Sequence, residues 1–204
     1  MARAGLKMVD DVLRVFLPLI ESRGEHKIAC GPGCNACCNN YVRCSLPEAL
    51  LVADWLKLPE NAPLLARFRE RMPGWRERAG TLAGEIAEIL ERSGGTQPEG
   101  AEWERFKQLG IEYATRGNLC PLNEEGRCAI YPVRPTICRS VHVLETSYYW
   151  TPGRGGHPKV VSHPTLEATV QEATTRYGLA AAELVGSGRE RALPESIAWA
   201  LEQD

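Results

Sequence analysis

The sequence predicts a mainly α fold, one irregular helical domain spanning residues 1–204 with two cysteine-rich loops. Three observations predict it. Apolar residues recur at spacings of three and four over most of the chain, the signature of amphipathic helices. No run of alternating strands and helices occurs, which excludes a β/α barrel. The eight cysteines fall in two clumps, five from Cys30 to Cys44 and three at Cys120, Cys128 and Cys138, separated by helical sequence and unrelated by any repeat.

Each element follows from local pattern. Leu6, Val9, Leu13, Phe16, Leu17 and Ile20 make a helix of residues 4–22, with Gly24 placed to cap its end. Cys30-Gly-Pro-Gly-Cys34-Asn-Ala-Cys37-Cys38 cannot be regular helix, because its glycines and proline favour turns that aim backbone N–H groups at a sulfur. Ser45-Leu46-Pro47-Glu48 is a capping box, opening a helix that runs to about Lys57. Leu65, Phe68, Met72, Trp75, Ala79, Leu82, Ile86 and Ile89 then form a long helical core stripe, with a kink or break expected at Pro73-Gly74. Ser93 to Gly100 is a linker, and a helix follows from about Ala101 to Arg116 with Trp103, Phe106, Leu109 and Tyr113 inward. Cys120 to Tyr131 predicts a short hairpin turning at Asn123 to Gly126, and Val133 to Arg139 a short turn or helix. Val141 to Val161 is expected to be irregular. Helices are expected at Thr165–Tyr177, Ala180–Val185 and Pro194–Glu202.

Composition narrows the function. Lys plus Arg number 24 and Asp plus Glu 26, a net charge of −2, so a strongly basic nucleic-acid binder is excluded. Arginines at 67, 69, 71, 76 and 78 alternate with Glu70 and Glu77, the pattern of a solvated, ion-paired face. No secretory leader and no stretch of 18 apolar residues is present, so neither export nor a membrane span is expected. The expected setting is the reducing cytoplasm. There, clustered thiols serve metal or redox chemistry rather than a disulfide framework.

Thiolates are soft ligands for Zn²⁺ and for iron–sulfur clusters. A zinc ribbon needs two close cysteine pairs, and the second clump, with gaps of seven and nine residues, offers none. Three close thiols plus a distant one, here Cys120 followed by Pro121, tilts the expectation to iron–sulfur. Side chains of the adjacent Cys37 and Cys38 should diverge. The two then serve two metals, or one is a ligand while the other has a separate duty. The spacing Cys30-x₃-Cys34-x₂-Cys37 also equals that of radical S-adenosylmethionine enzymes, whose barrel this sequence lacks.

Cys34-x₂-Cys37-Cys38, together with Cys120-Pro and Gly126-Arg-Cys128-Ala-Ile-Tyr131-Pro-Val-Arg134-Pro135-Thr-Ile-Cys138-Arg139, resembles the YkgJ-like cysteine-cluster (CxxCxxCC) family of zinc- or iron-chelating domains. The resemblance covers about half the chain. The sequence departs from the family pattern by three residues between Cys30 and Cys34 and by the extra Cys44. What it implies is metal binding through Cys30, Cys34, Cys37, Cys38, Cys120, Cys128 and Cys138. Flagellin lysine methylases carry a similar pattern with an iron–sulfur cluster, an analogy that favours iron.

The expected cofactor is thus an iron–sulfur cluster, [4Fe–4S] in type, with Zn²⁺ as the alternative. Arg134 and Arg139 are expected beside it, offsetting thiolate charge and donating to sulfur, as Arg127 could. His26 and His142 lie within four residues of a cysteine and could reach a metal. Tyr148-Tyr149-Trp150 and Gly153-Arg154-Gly155-Gly156 could form a substrate-facing loop. No general acid, base or nucleophile stands out, and no phosphate loop or nucleophile elbow occurs. The expected function is redox or cluster-assisted modification chemistry. The alternatives are a zinc-stabilised interaction module and metal storage or delivery. The partner is a protein or small molecule, not a nucleic acid or membrane.

Overall fold

A computed structural model describes residues 2–22, 28, 35–94, 98–143, 160–161 and 191–203. Among these, the α-helices are α1 (Ala2–Ser22), α2 (Leu46–Leu56), α3 (Ala62–Arg92), α4 (Gly100–Thr115), α5 (Thr136–Ser140) and α6 (Leu193–Leu201). The strands are two residues each and pair antiparallel: β1 (Arg43–Cys44) with β6 (Arg191–Ala192), β2 (Asn123–Glu124) with β3 (Arg127–Cys128), and β4 (His142–Val143) with β5 (Val160–Val161). The mainly α expectation holds.

α1 turns Leu6, Val9 and Leu13 inward, toward α2 and α5. α2 starts at the expected capping box. The Glu48 carboxylate accepts from Ser45 N–H (3.2 Å) and Ser45 Oγ–H (2.6 Å). α3 carries the expected stripe, with Phe68, Met72, Trp75, Ala79, Leu82, Ile86 and Ile89 all buried. Burying each such large side chain contributes about 1.5–3 kcal/mol.

A kink or break is expected at Pro73-Gly74, and the break in helical dihedrals falls six residues later than Gly74. The chain stays helical through Pro73 and departs from it at Gly80 (φ 49°, ψ −140°). A positive φ is accessible to glycine at little cost, whereas proline's φ already matches the helix and its penalty is a lost hydrogen bond. The linker falls between α3 and α4 as expected. Leu109 and Tyr113 of α4 are buried, while Trp103 and Phe106 are half-buried and stack on each other at 5.6 Å. α6 packs on α2, and Leu193 N–H donates to Val42 O (2.7 Å).

The expected irregular stretch from Val141 to Val161 is corrected at its ends, where residues 142–143 and 160–161 pair as strands. Period-two pairs this short leave no pattern in a sequence. Gly24, Tyr148 to Gly156, and the helices expected at Thr165–Tyr177 and Ala180–Val185 lie outside the described residues. So do Cys30, Cys34, His26, His157 and His163.

Candidate metal centre

Each cysteine-bearing piece is built by a local device. Cys37 and Cys38 sit on a 3-10 turn, Ala36–Asn39, closed by Cys38 N–H to Asn35 O (2.9 Å) and Asn40 N–H to Cys37 O (3.0 Å). α4 ends at Gly117 (φ 69°), and the buried Asn118 caps it by donating Nδ2–H to Tyr113 O (3.1 Å). The chain then turns into Cys120. The hairpin that follows reverses at Glu125 and Gly126, both at positive φ (50° and 82°), the geometry of a two-residue hairpin turn. Asn123 Oδ1 accepts Gly126 N–H (3.1 Å) and holds that turn. Cys128 lies on β3. A 3-10 turn, Tyr131–Val133, leads to α5 and Cys138.

The two segments are stapled together. Cys120 N–H donates to Cys38 O (2.8 Å), and Asn123 Nδ2–H donates to Cys38 Sγ (3.5 Å). The result is a cavity of about 80 Å³ lined by Cys37, Cys38, Cys120, Cys128 and Cys138, with Trp75, Tyr113, Asn118, Ile130 and Arg134 in its wall. All five thiols are half-buried and form no disulfide among the described residues. Cys37 and Cys38, expected to diverge, both reach this cavity.

At Cys37, Cys120, Cys128 and Cys138 the surroundings favour the neutral thiol. Burial pushes Cys120 up to about 12, and raises Cys128 and, further, Cys138. Cys37 is raised first by its hydrogen bond with the Cys38 thiol and then by burial. Arg134 opposes the shift at Cys37, Cys128 and Cys138, so its guanidinium is the cation that these three share. It stacks on Tyr131 at 4.1 Å, and its Nε is buried without a hydrogen-bond partner among the described residues, as is Asn118 Oδ1.

Arg139 stands elsewhere. It is 3 % exposed and does not line the cavity. It donates to the backbone oxygens of Arg134 (2.8 Å) and Pro132 (2.9 Å) and pairs with Asp10 of α1. Its charge still favours the Cys128 thiolate. Cys44 is packed in the hydrophobic core. His142 is away from the cavity wall, its Nδ1 3.3 Å from Ser140 O, and burial lowers its pKa. Arg127 is exposed on β3.

Asn118, and the bond of the turn residue Asn123 to Cys38, are not foreseen from the sequence. Their signal is position: each stands within three residues of Cys120, and asparagine tolerates turns and bonds nearby backbone.

The donor set suits a soft metal. Among the described residues, however, no three His, Cys, Asp or Glu side chains are gathered into a group that could hold a metal ion. Nor, among them, is any helix long and apolar enough to cross a membrane. Set against protein-family models, curated proteins and solved structures, the chain matches none.

Proposed function

We propose that this chain holds an iron–sulfur cluster, on thiolates drawn from both cysteine segments. The observation that carries this is the shared cavity: five thiols, from stretches far apart in sequence, line one space of about 80 Å³. Five thiols exceed the four ligands that one tetrahedral Zn²⁺ takes. That favours a polynuclear centre over a single Zn²⁺. Cys37, Cys38, Cys120, Cys128 and Cys138 would hold the centre as thiolates, so binding would release their protons. Arg134 then offsets part of the thiolate charge. The resemblance to the cysteine-cluster family supports the same reading and adds Cys30 and Cys34 as further ligands. A reducing compartment, the cytoplasm, goes with free thiols in this number.

Such a centre serves redox or cluster-assisted chemistry. The test is metal and acid-labile sulfide quantitation, with absorbance and Mössbauer spectra, on protein purified without oxygen. The expected result is about four iron and four sulfide per chain. A colourless protein holding only zinc would move the assignment to a zinc-stabilised module. Protein that binds neither would overturn it.

A further inference from the structure

Glu48 opens α2 and would have done all a capping box requires by bonding Ser45 alone. It does more. Its carboxylate is 8 % exposed, and while Oε2 takes both Ser45 donors, Oε1 accepts the N–H of Thr136 at 2.8 Å. Ser45 is where the first cysteine segment ends, directly after Cys44. Thr136 begins α5, which carries Cys138. One buried carboxylate thus joins both cysteine segments, a second tie besides the Cys38–Cys120 backbone bond. The two carboxylate oxygens accept all three bonds, whereas a glutamine would turn an N–H toward Ser45 N–H or Thr136 N–H.

A helix of five residues cannot hold its own position in water. α5 is placed by what grips it, and at its start that grip is Glu48. We infer that Glu48 is a positioning residue for Cys138, setting where that thiol stands in the cavity; its bearing on a metal rests on the function proposed above.

Thr136→Pro tests the bond itself. It deletes one N–H, proline is at home at the first position of a helix, and the preceding Pro135 already has the extended backbone (φ −58°, ψ 159°) that a following proline demands. Thr136→Ala, which keeps the N–H, is the control, and Glu48→Gln the second lesion.

The first measurement needs no metal. In stripped, reduced protein, the alkylation rates of Cys138 and Cys120 by iodoacetamide are compared by peptide mass spectrometry. Thr136→Pro and Glu48→Gln should speed Cys138 about tenfold or more and leave Cys120 unchanged, whereas general loosening speeds both. In anaerobically reconstituted protein the same variants should lose about tenfold or more in affinity against a chelator and alter the visible absorption of the centre, with Thr136→Ala at wild-type values. A wild-type protein that takes up no metal while Cys138 still responds would sink the metal assignment and leave the positioning role standing. Equal alkylation of Cys138 in wild type and both lesions would overturn the role of Glu48.

Discussion

In the second cysteine segment, side chains from three helices reach in: Arg67 and Arg71 of α3 grip the hairpin, Glu48 of α2 meets Thr136, and Asp10 of α1 takes Arg139. The described part of the first segment, residues 35–44, has a different support. Its 3-10 turn is closed by its own backbone, Cys38 leans on Cys120 and Asn123 of the other segment, and its ties to the helices come after that turn, through β1 to β6, Val42 O to Leu193 N–H, Cys44 O to Ser196 Oγ–H and the Tyr41 ring on Tyr113. The second loop is therefore built by the protein fold, and the first takes its place partly from the second. A soft metal ligated by both would add most to the one with fewer ties of its own.

Metal removal gives the largest expected effect and tests that asymmetry directly. Structural thiolate sites contribute on the order of 10 kcal/mol to folding, so stripping a loaded centre should lower the melting temperature by more than about 10 °C. Amide exchange should rise far more at Cys38 and Asn40 than at Ala129, whose N–H bonds Leu122 O (2.9 Å). Equal acceleration in both segments would end the comparison.

Alkaline pH comes next. In stripped protein, the folded-state pKa values of Cys37, Cys120, Cys128 and Cys138 stand above the ordinary 9.0. Below pH 9 these thiols are protonated whether folded or not, and their contribution to stability is intact. As pH rises past 9 the unfolded chain releases its protons first, so folding weakens, at up to about 1.4 kcal/mol per thiol per pH unit. For Cys120 the loss runs to about pH 12. Urea midpoints measured from pH 8 to 10.5 should fall steeply. A ligated protein, with its thiolates already ionised, should show little of this fall, and a flat profile for the stripped protein would contradict the neutral-thiol cavity.

Arg139→Ala should cost about 1–3 kcal/mol, because it leaves the part-buried carbonyls of Pro132 and Arg134 without their donor and Asp10 without its partner. Thermal melting checks it. A cost below about 1 kcal/mol would mean that the second loop does not depend on this clamp.

These contrasts also mark what the sequence could reveal. The stripe on α3 and the capping box at Ser45 were legible because helix periodicity and caps are decided within a few residues. The five cavity cysteines were legible from chemistry, since thiols in such number have few other uses. The bend at Gly80 was not, because Pro73 is the stronger breaker in isolation and the surrounding helix tolerates it. The roles of Glu48, Asn123 and Arg139 were not either. Each depends on a partner 85 or more residues away, Thr136, Cys38 and Asp10 in turn, and long-range pairing leaves no local signature. Arg139 read as a neighbour of the metal because it adjoins Cys138; instead its guanidinium ties down the turn that leads to Cys138.

The smallest effect separates the two arginines that grip the hairpin. Arg67 makes a two-pronged pair with Glu124, but both side chains are substantially exposed, at 43 % and 30 %. Pairs of that kind contribute little, since water already solvates both charges. Arg71 instead donates to the backbone oxygens of Pro121 (3.1 Å) and Asn123 (3.0 Å), the strand that also carries the Asn123 bond to Cys38. Arg67→Ala should shift the melting temperature by about 1–3 °C and leave alkylation of Cys38 unchanged. Arg71→Ala should cost about 1–3 kcal/mol and speed alkylation of Cys38, because the strand positioning Asn123 is freed. If Arg67→Ala proves the more damaging, the hairpin is held by surface charge, and the first segment does not take its place from the backbone of the second.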